Sequence, residues 1–292
     1  MAIFTKLMRI IGLPAMAGAL TACSAVKVGY SALPELAFWR LDAYLDFDDT
    51  QAAQVRERLA TLHQWHRSHE LPRYAALLEQ AERLAPADIT PAQACGLLDQ
   101  VRERMAAIAR HAEPAMAATA ASLTAAQLQH LQKHYARTDA EWRRDWLDTP
   151  AGAVQQRRLK QLTERAEMIY GTLDDTQRAV LQRTVEQAAF DARAAFAERQ
   201  RRQQDALDTL RSITATPGLP AAQARAALRG YLQRTLESPD AAWRARRDAW
   251  QQEMCRGFAT LHASTTAAQR EGAARRLRAW QRDLQELAAA QP

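Results

Sequence analysis

The feature that most constrains the fold is a recurring five-residue pattern: an apolar residue, a capping residue, two further positions and a glutamine. Thr or Asp at an N-cap with Gln three residues later forms a capping box, and the preceding apolar residue can pack on the next turn. Copies lie at 47–51, 89–93, 123–127 and 173–177, with a weaker one at 265–269 and one without a capping residue at 219–223. The pattern therefore predicts helices that begin near residues 49, 91, 125, 175, 221 and 267.

Between these starts, apolar residues recur at spacings of three and four, which is the period of an amphipathic helix. The stripes are Val101, Met105, Ile108, Ala112, Met116; Leu128, Leu131, Tyr135, Trp142, Trp146; and Trp243, Trp250, Met254, Phe258, Leu261. Alternation of period two is absent and glycine is scarce. The sequence predicts an all-α, multi-helix bundle of about nine or ten amphipathic helices, with the tryptophans in its core.

Prolines and one glycine predict where helices end. Pro72 is expected to break one helix, Pro86 to end the next, and Pro114 to kink or end the helix that begins at Pro91. Gly171 is expected to cap a C-terminus.

Thr149-Pro150 separates two long helical stretches. Residues 34–292 are therefore expected to form one helical domain, with 34–149 and 150–292 as candidate lobes.

The N-terminus has the order of regions of a secretory signal peptide: positive Lys6 and Arg9, a short apolar run, then Leu20-Thr21-Ala22 before Cys23. Leu-Thr-Ala-Cys resembles the lipobox of bacterial lipoproteins. The resemblance implies cleavage between Ala22 and Cys23, which removes residues 1–22 as a lipoprotein signal peptide. Cys23 would then carry acyl chains such as palmitate, and residues 23–33 would be a lipid-anchored tether.

The residue after the cysteine is Ser24 rather than Asp. By resemblance to the sorting rule of Gram-negative lipoproteins, this favours the periplasmic face of the outer membrane over retention at the inner membrane. Nucleic acid is excluded as a partner there, despite the net charge of +6. The basic excess suits anionic lipid or acidic protein surfaces, and equally a solvated arginine-rich surface without a partner.

With Cys23 acylated, Cys95 and Cys255 remain as an even pair in an oxidising compartment. The pair forms either a disulfide, which would join distant parts of the chain, or two buried free thiols.

Signatures of catalysis are missing: the sequence has no Gly-x-Ser-x-Gly elbow, phosphate-binding loop, dinucleotide fingerprint or zinc-protease helix. We therefore expect no cofactor and a protein that is not an enzyme. The alternative is an enzyme of envelope polymers such as peptidoglycan, with Glu70, His66 and the group Asp46, Asp48 and Asp49 as its only candidates. Acids in the first turn of a helix are also favoured by the helix dipole.

Histidines and arginines offer two further hypotheses. His63, His66 and His69 are spaced by three and His130 and His134 by four, but two ligands do not complete a metal site, so no metal is predicted. Basic clusters at 199–202, 244–247 and 275–278 are typical of solvated helix faces. They would bind acidic partners only if two of them met on one concave surface.

Several longer segments resemble a family of Gram-negative, all-helical lipoproteins of unknown function. They include Phe38-Trp39-Arg40-Leu41-Asp42, Trp65-His66-Arg67, the stretch 164–171 and the stretch 262–266. This resemblance implies a fold and a location but no catalytic residues.

Leu123-Thr124-x-x-Gln127 also resembles the signature of Spy-type periplasmic chaperones, which hold unfolded proteins without ATP. The same residues form a capping box, which explains them by helix geometry alone. We therefore expect a membrane-anchored protein that binds or scaffolds envelope components. The alternative within this class is a Spy-like chaperone with unfolded clients as partners.

Overall fold

The computed structural model describes residues 27–188, 190–216 and 218–290, which form helices joined by short turns and contain no strand. The α-helices are α1 (27–31), α2 (Leu33–Leu45), α3 (Asp49–Trp65), α4 (Leu71–Leu84), α5 (Pro91–Ala121), α6 (Ala125–Trp146), α7 (Ala151–Tyr170), α8 (Asp175–Gln187), α9 (Ala192–Thr214), α10 (Ala221–Leu236), α11 (Ala241–Ala263) and α12 (Ala267–Ala289), and a π-helical turn (His66–Glu70) joins α3 to α4. Within those ranges, no helix is long and apolar enough to cross a bilayer. The all-α prediction is confirmed.

All six predicted helix starts are confirmed. Helices begin at residues 49, 91, 125, 175, 221 and 267. Complete capping boxes close five of them, with Asp48, Thr90, Thr124, Asp174 and Thr266 as N-caps. Pro220 precedes the sixth and makes no side-chain cap.

The predicted helix ends are confirmed at three positions and wrong at Pro72, and at Pro114, where a kink or an end was predicted, the helix does not end. Helices end before Pro86 and Pro150, and Gly171 takes the C-cap position of α7 with a φ of 81°. Pro72 does not break the chain, because the preceding turn widens to π-helical spacing and the Leu71 N–H donates to the His66 carbonyl. Pro114 lies inside α5, which continues to Ala121. Neighbouring helices that hold both sides of a proline can outweigh its missing N–H.

The helices pack as two rings of six that share α5. In ring A the neighbours run α5, α3, α2, α6, α9, α10 and back to α5; in ring B they run α5, α11, α8, α7, α12, α4 and back to α5. Both rings draw helices from either side of residue 150. The packing units are therefore these rings, and the division into candidate lobes 34–149 and 150–292 stays a prediction.

Two glutamines that close capping boxes also join across ring A. Gln51 lies in the first turn of α3 and Gln127 in the first turn of α6, and each side-chain amide donates to the other's Oε1, at 3.2 and 2.5 Å. The Gln51 amide also donates to the Ser122 carbonyl and the Gln127 amide to the Asp46 carbonyl. Both side chains are buried. The pair therefore fixes two helix starts and the two preceding chain turns against each other.

Ring B repeats this arrangement. Gln177, at the start of α8, and Gln269, at the start of α12, exchange amide hydrogen bonds of 2.7 and 3.0 Å. They donate in addition to the Ser264 and Thr172 carbonyls. The neighbours are equivalent too, because the order α5–α3–α2–α6 corresponds to α11–α8–α7–α12.

A disulfide within ring B joins Cys95 on α5 to Cys255 on α11, with their Cα atoms 5.5 Å apart. It is the pairing that the cysteine count favours, and it crosses 160 residues of sequence. In ring A the second half of α5 is held by Glu113, which accepts two hydrogen bonds from Arg229 on α10 at 2.9 and 2.7 Å. Those bonds lower the pKa of Glu113.

Three features of the chain differ from the sequence-based expectation. Val101 and Met105, predicted to lie on a buried stripe, are exposed on α5. The tryptophans, predicted in the core, are at best half-buried, and Trp39 and Trp250 are exposed. Tyr30, within the predicted tether, is buried against Leu71 and Leu287, so the folded body already includes α1.

Buried His262 ties three elements of ring B together. Its Nε2 lies 2.8 Å from the Ala87 carbonyl, which only accepts, so Nε2 carries the proton and Nδ1 accepts from the Tyr170 hydroxyl at 2.8 Å. Burial lowers the pKa of His262 from its ordinary value, and the neutral form is the one that fits both bonds.

We predict that Gln177→Ala lowers the free energy of unfolding by about 1–3 kcal/mol, because it leaves the buried hydrogen-bond partners of Gln177 and an N-cap N–H unpaired. Gln93→Ala is the matched control, since Gln93 completes the same capping box at an exposed position. A double-mutant cycle of Gln177→Ala with Gln269→Ala, measured by urea unfolding, should give a coupling energy of about 0.5–3 kcal/mol. A coupling energy of zero, or equal losses for Gln177→Ala and Gln93→Ala, would contradict the proposed role of the pair.

We also predict that acidification destabilises the fold through His262. Because its folded pKa lies below the ordinary 6.5, the unfolded chain binds more protons, and the free energy of unfolding falls as the pH drops through 6.5. His262→Gln should flatten this dependence in urea titrations between about pH 8 and 5. An unchanged slope for His262→Gln would refute the assignment.

Candidate binding cavities

An apolar cavity of about 270 Å³ lies at the centre of ring A, and all six helices of that ring line it. Its walls are mostly aliphatic and aromatic side chains, with Tyr44, Tyr135 and Tyr231 among them. Leu41, which is 40% exposed, belongs to the lining, so the cavity reaches the surface beside α2.

A second apolar cavity, of about 330 Å³, lies in ring B between α5, α7, α8 and α11. Its lining includes Tyr170, Leu181 and Phe258, together with the disulfide-bonded Cys255. Leu98, which is 46% exposed, also lines it and marks its opening beside α5.

The two cavities occupy equivalent positions. Aligning Gln51 with Gln177 matches α2 and α3 with α7 and α8, whose residue numbers are higher by 126. Aligning Gln127 with Gln269 matches the end of α5 and α6 with α11 and α12, whose residue numbers are higher by 142. Seven lining positions then match: Tyr44 with Tyr170, Val55 with Leu181, Arg58 with Thr184, Ala112 with Met254, Ala115 with Gly257, Met116 with Phe258 and Thr119 with Leu261. The chain thus builds the same apolar site twice from different side chains.

The approach of α8 to α11 shapes the second cavity. A Cβ atom on Gly257 would lie 2.2 Å from Cγ2 of Thr184, so only glycine allows this spacing. In ring A the corresponding residues are Ala115 and Arg58, and the Arg58 guanidinium donates to the Thr119 hydroxyl at 2.8 Å. The wall of the first cavity therefore carries the Arg58 guanidinium at the position where, in the second cavity, α8 and α11 are in close contact.

The chemistry of both cavities favours binding of apolar groups. Burial raises the pKa of Tyr135 and of Tyr170, so both phenols stay neutral across the physiological range. The Tyr170 hydroxyl is engaged by His262. Apolar walls with a few convergent polar groups are typical of sites for apolar ligands or side chains.

Of the proposed catalytic candidates, Glu70 and His66 lie at the π-helical turn. Glu70 is fully buried and forms ion pairs with Arg73 at 2.6 Å and Arg104 at 3.8 Å, while its Oε2 has no hydrogen-bond partner. His66 Nδ1 lies 2.9 Å from the Tyr30 hydroxyl. Burial lowers the pKa of His66 and raises that of Tyr30 to about 12.

The other candidates lie at the far end of α3. Asp48 is the N-cap of that helix and Asp49 lies in its first turn, while Asp46 ends α2 with a φ of 51°. The length of α3 separates them from His66 by roughly 25 Å. The structure therefore does not bring the two groups of enzyme candidates together.

The histidines make separate contacts. His63 Nε2 lies 3.0 Å from the Tyr30 carbonyl, His130 Nε2 lies 3.3 Å from the Ala43 carbonyl, and the His134 ring packs on Tyr44 with centroids 3.9 Å apart. His69 bonds to Ser68. Among the described residues, no three His, Cys, Asp or Glu side chains are placed to hold a metal ion.

The arginines of the three basic clusters are bound within the chain. Arg201 and Arg202 both bind buried Glu198, and Arg199 binds Asp139 at 2.6 Å. The other partners are the Ser238 carbonyl for Arg244, Asp191 for Arg246, Asp248 for Arg247, Glu271 for Arg275, the Glu167 and Met168 carbonyls for Arg276, and Glu82 for Arg278. Much of their charge is therefore balanced locally.

The predicted cleavage and lipidation residues, Ala22 and Cys23, lie outside the described part of the chain. Sequence reasoning missed the two cavities, because their walls come from helices that are distant in sequence. The recurring capping glutamines were the one available signal, since the two pairs mark the equivalent corners of both rings.

Comparison with known proteins gives one match. The profile of a family of unknown function, DUF6279, matches residues 43–219, which is more than half of the chain. No curated protein and no solved structure matches it. The matched region contains most of ring A and the first helices of ring B. The chain belongs to the family of unknown function DUF6279.

Proposed function

We propose that this protein is a lipid-anchored, non-enzymatic binding protein on the periplasmic face of the outer membrane. Its body would hold apolar segments of unfolded or partly folded envelope proteins. The observation that carries the proposal is the pair of apolar cavities at equivalent positions of the two rings. A chain that forms the same apolar site twice, from different side chains, is suited to guests of varied shape.

The envelope location rests on the N-terminal sequence. Leu20-Thr21-Ala22-Cys23 is the segment that resembles a lipobox, and Ser24 favours the outer membrane. A disulfide between Cys95 and Cys255 fits an oxidising compartment.

Holding unfolded proteins is the Spy-like form of the binding function, but it does not depend on the Leu-Thr-x-x-Gln signature, because Thr124 and Gln127 are accounted for by a capping box and the glutamine pair. It depends on the cavities, which offer apolar surface without nucleotide chemistry. The peptidoglycan-enzyme alternative gains nothing from the geometry, since Glu70 and Asp48 lie at opposite ends of α3.

We predict that the chain without its N-terminal 23 residues suppresses aggregation of a denatured client in the absence of ATP. Ala112→Phe, which fills the first cavity and leaves the second open, should raise the concentration needed for half suppression by about twofold. Ala118→Phe, at an exposed position of the same helix, is the matched control and should behave like the parent chain.

Light scattering measures suppression, and thermal melting shows that each variant is folded. If the parent chain does not suppress aggregation, the holding function is wrong. If Ala112→Phe melts like Ala118→Phe and suppresses equally well, the first cavity is not the binding site.

We predict further that Cys23→Ser abolishes membrane retention, because the anchor is the acylated cysteine and no described helix can span the bilayer. Flotation of membranes on a density gradient measures this, with Ser24→Ala as the control for an exchange next to the site. A Cys23→Ser chain that still floats with outer-membrane vesicles would contradict lipidation as the anchor.

A further inference from the structure

The helix nearest the predicted anchor has an apolar outer face. Leu33, Leu36 and Trp39 follow one another at intervals of three along α2, and 46%, 44% and 60% of their surfaces are exposed. Ala43 continues the same face and is exposed, and Val28 on α1, just before it, is 69% exposed. Residues three and four apart share one side of a helix, so these side chains form one surface, here called the α2 outer face.

The opposite side of α2 is apolar as well. Phe38 is buried in the body, and α2 packs on α3 and α6. A helix that is apolar on both sides is normally covered on both. The α2 outer face therefore has the composition of a contact surface although no element of the described chain covers it.

Chain geometry places the predicted anchor beside this surface. Tyr30 is fixed in the body against Leu71 and Leu287. The stretch from Cys23 to Lys27 spans at most about 14 Å when fully extended. A lipid on Cys23 therefore keeps the bilayer surface within that reach of α1 and the start of α2.

We propose that the α2 outer face lies in the headgroup region of the lipid bilayer and sets the orientation of the body on the membrane. The inference rests on the proposed anchor at Cys23. Trp39 has the amphipathic ring that is enriched at bilayer interfaces, and the leucines supply apolar area for shallow insertion. Arg40, exposed on the same side, donates one hydrogen bond to the Tyr44 hydroxyl at 2.8 Å, and its other guanidinium N–H groups are available to lipid phosphates.

A bilayer is favoured over a protein partner by proximity. A tether this short holds the face at an effective concentration on the order of millimolar or more relative to the lipid. A second copy of the chain or another protein would have to compete for the α2 outer face with the bilayer, which the anchor keeps beside it at all times.

The test uses the full acylated chain in vesicles of phosphatidylethanolamine and phosphatidylglycerol with a nitroxide-labelled phospholipid. A fluorophore is attached to single cysteines introduced as Leu36→Cys or Trp39→Cys. Met168→Cys and Leu236→Cys are matched controls, because both residues are exposed and apolar but lie on α7 and α10. The native cysteines do not interfere when Cys23 is acylated and Cys95 is paired with Cys255.

We expect quenching at 36 and 39 to exceed that at 168 and 236 by about threefold or more, since interfacial side chains lie at the depth of the nitroxide. Equal quenching at all four positions would overturn the proposal. A blue shift at 36 without vesicles that grows with protein concentration would overturn it in favour of a second copy.

A double variant, Leu36→Glu with Trp39→Glu, separates the face from the anchor. It changes exposed residues only, so the fold should persist, and a label at Leu33→Cys should lose its quenching while flotation stays unchanged. If the parent chain does not float, the anchor proposal has failed. If it floats without quenching at 36 and 39, the anchor stands and the α2 outer face does not contact lipid.

Discussion

The reciprocal glutamine pair is the interaction on which the architecture depends. A capping box normally fixes one helix start, but here the side-chain amide of each capping glutamine also donates a hydrogen bond to the glutamine of a second capping box. Each glutamine side chain thereby accepts a hydrogen bond from an N-cap N–H and donates hydrogen bonds to a distant backbone carbonyl and to its partner glutamine. Since unpaired buried amides are costly, the two helix starts must meet or both lose their hydrogen bonds. A local motif thus becomes a long-range constraint.

The same constraint occurs once in each ring, and a shared helix holds the two rings together. Gln51 with Gln127 fixes one corner of ring A, and Gln177 with Gln269 fixes the corresponding corner of ring B. Helix α5 then serves both rings, bound to α11 by the disulfide near its start and to α10 by Glu113 further along. The helix passes through Pro114 without a break because neighbours hold it on either side of the proline: Arg229 binds Glu113 before it, and Ala117 and Ala120 pack against α10 after it.

Local chemistry was predictable from the sequence and long-range chemistry was not. Thr124 and Asp174 mark helix starts because a cap involves only residues within one turn, so five starts could be placed from their caps. The start at 221 was placed from the same residue spacing without a cap. The partner of each capping glutamine lies 76 or 92 residues away and leaves no local trace. The helix break predicted at Pro72 is wrong because the turn before the proline widens to π-helical spacing. The burial predicted for Met105 is wrong because helical periodicity does not say which apolar stripe packs against another helix. The cavities were beyond prediction for the same reason.

Helix α2 links the two proposed surfaces. Leu41 lines the first cavity and Leu36 lies on the outer face, so one short helix separates the interior of ring A from the proposed membrane contact. The opening at Leu41 lies beside that contact, so a guest would enter close to the lipid surface. Ring B opens at Leu98 on α5 instead. Two equivalent sites with openings on different helices would suit a protein that meets apolar segments both at the membrane and away from it.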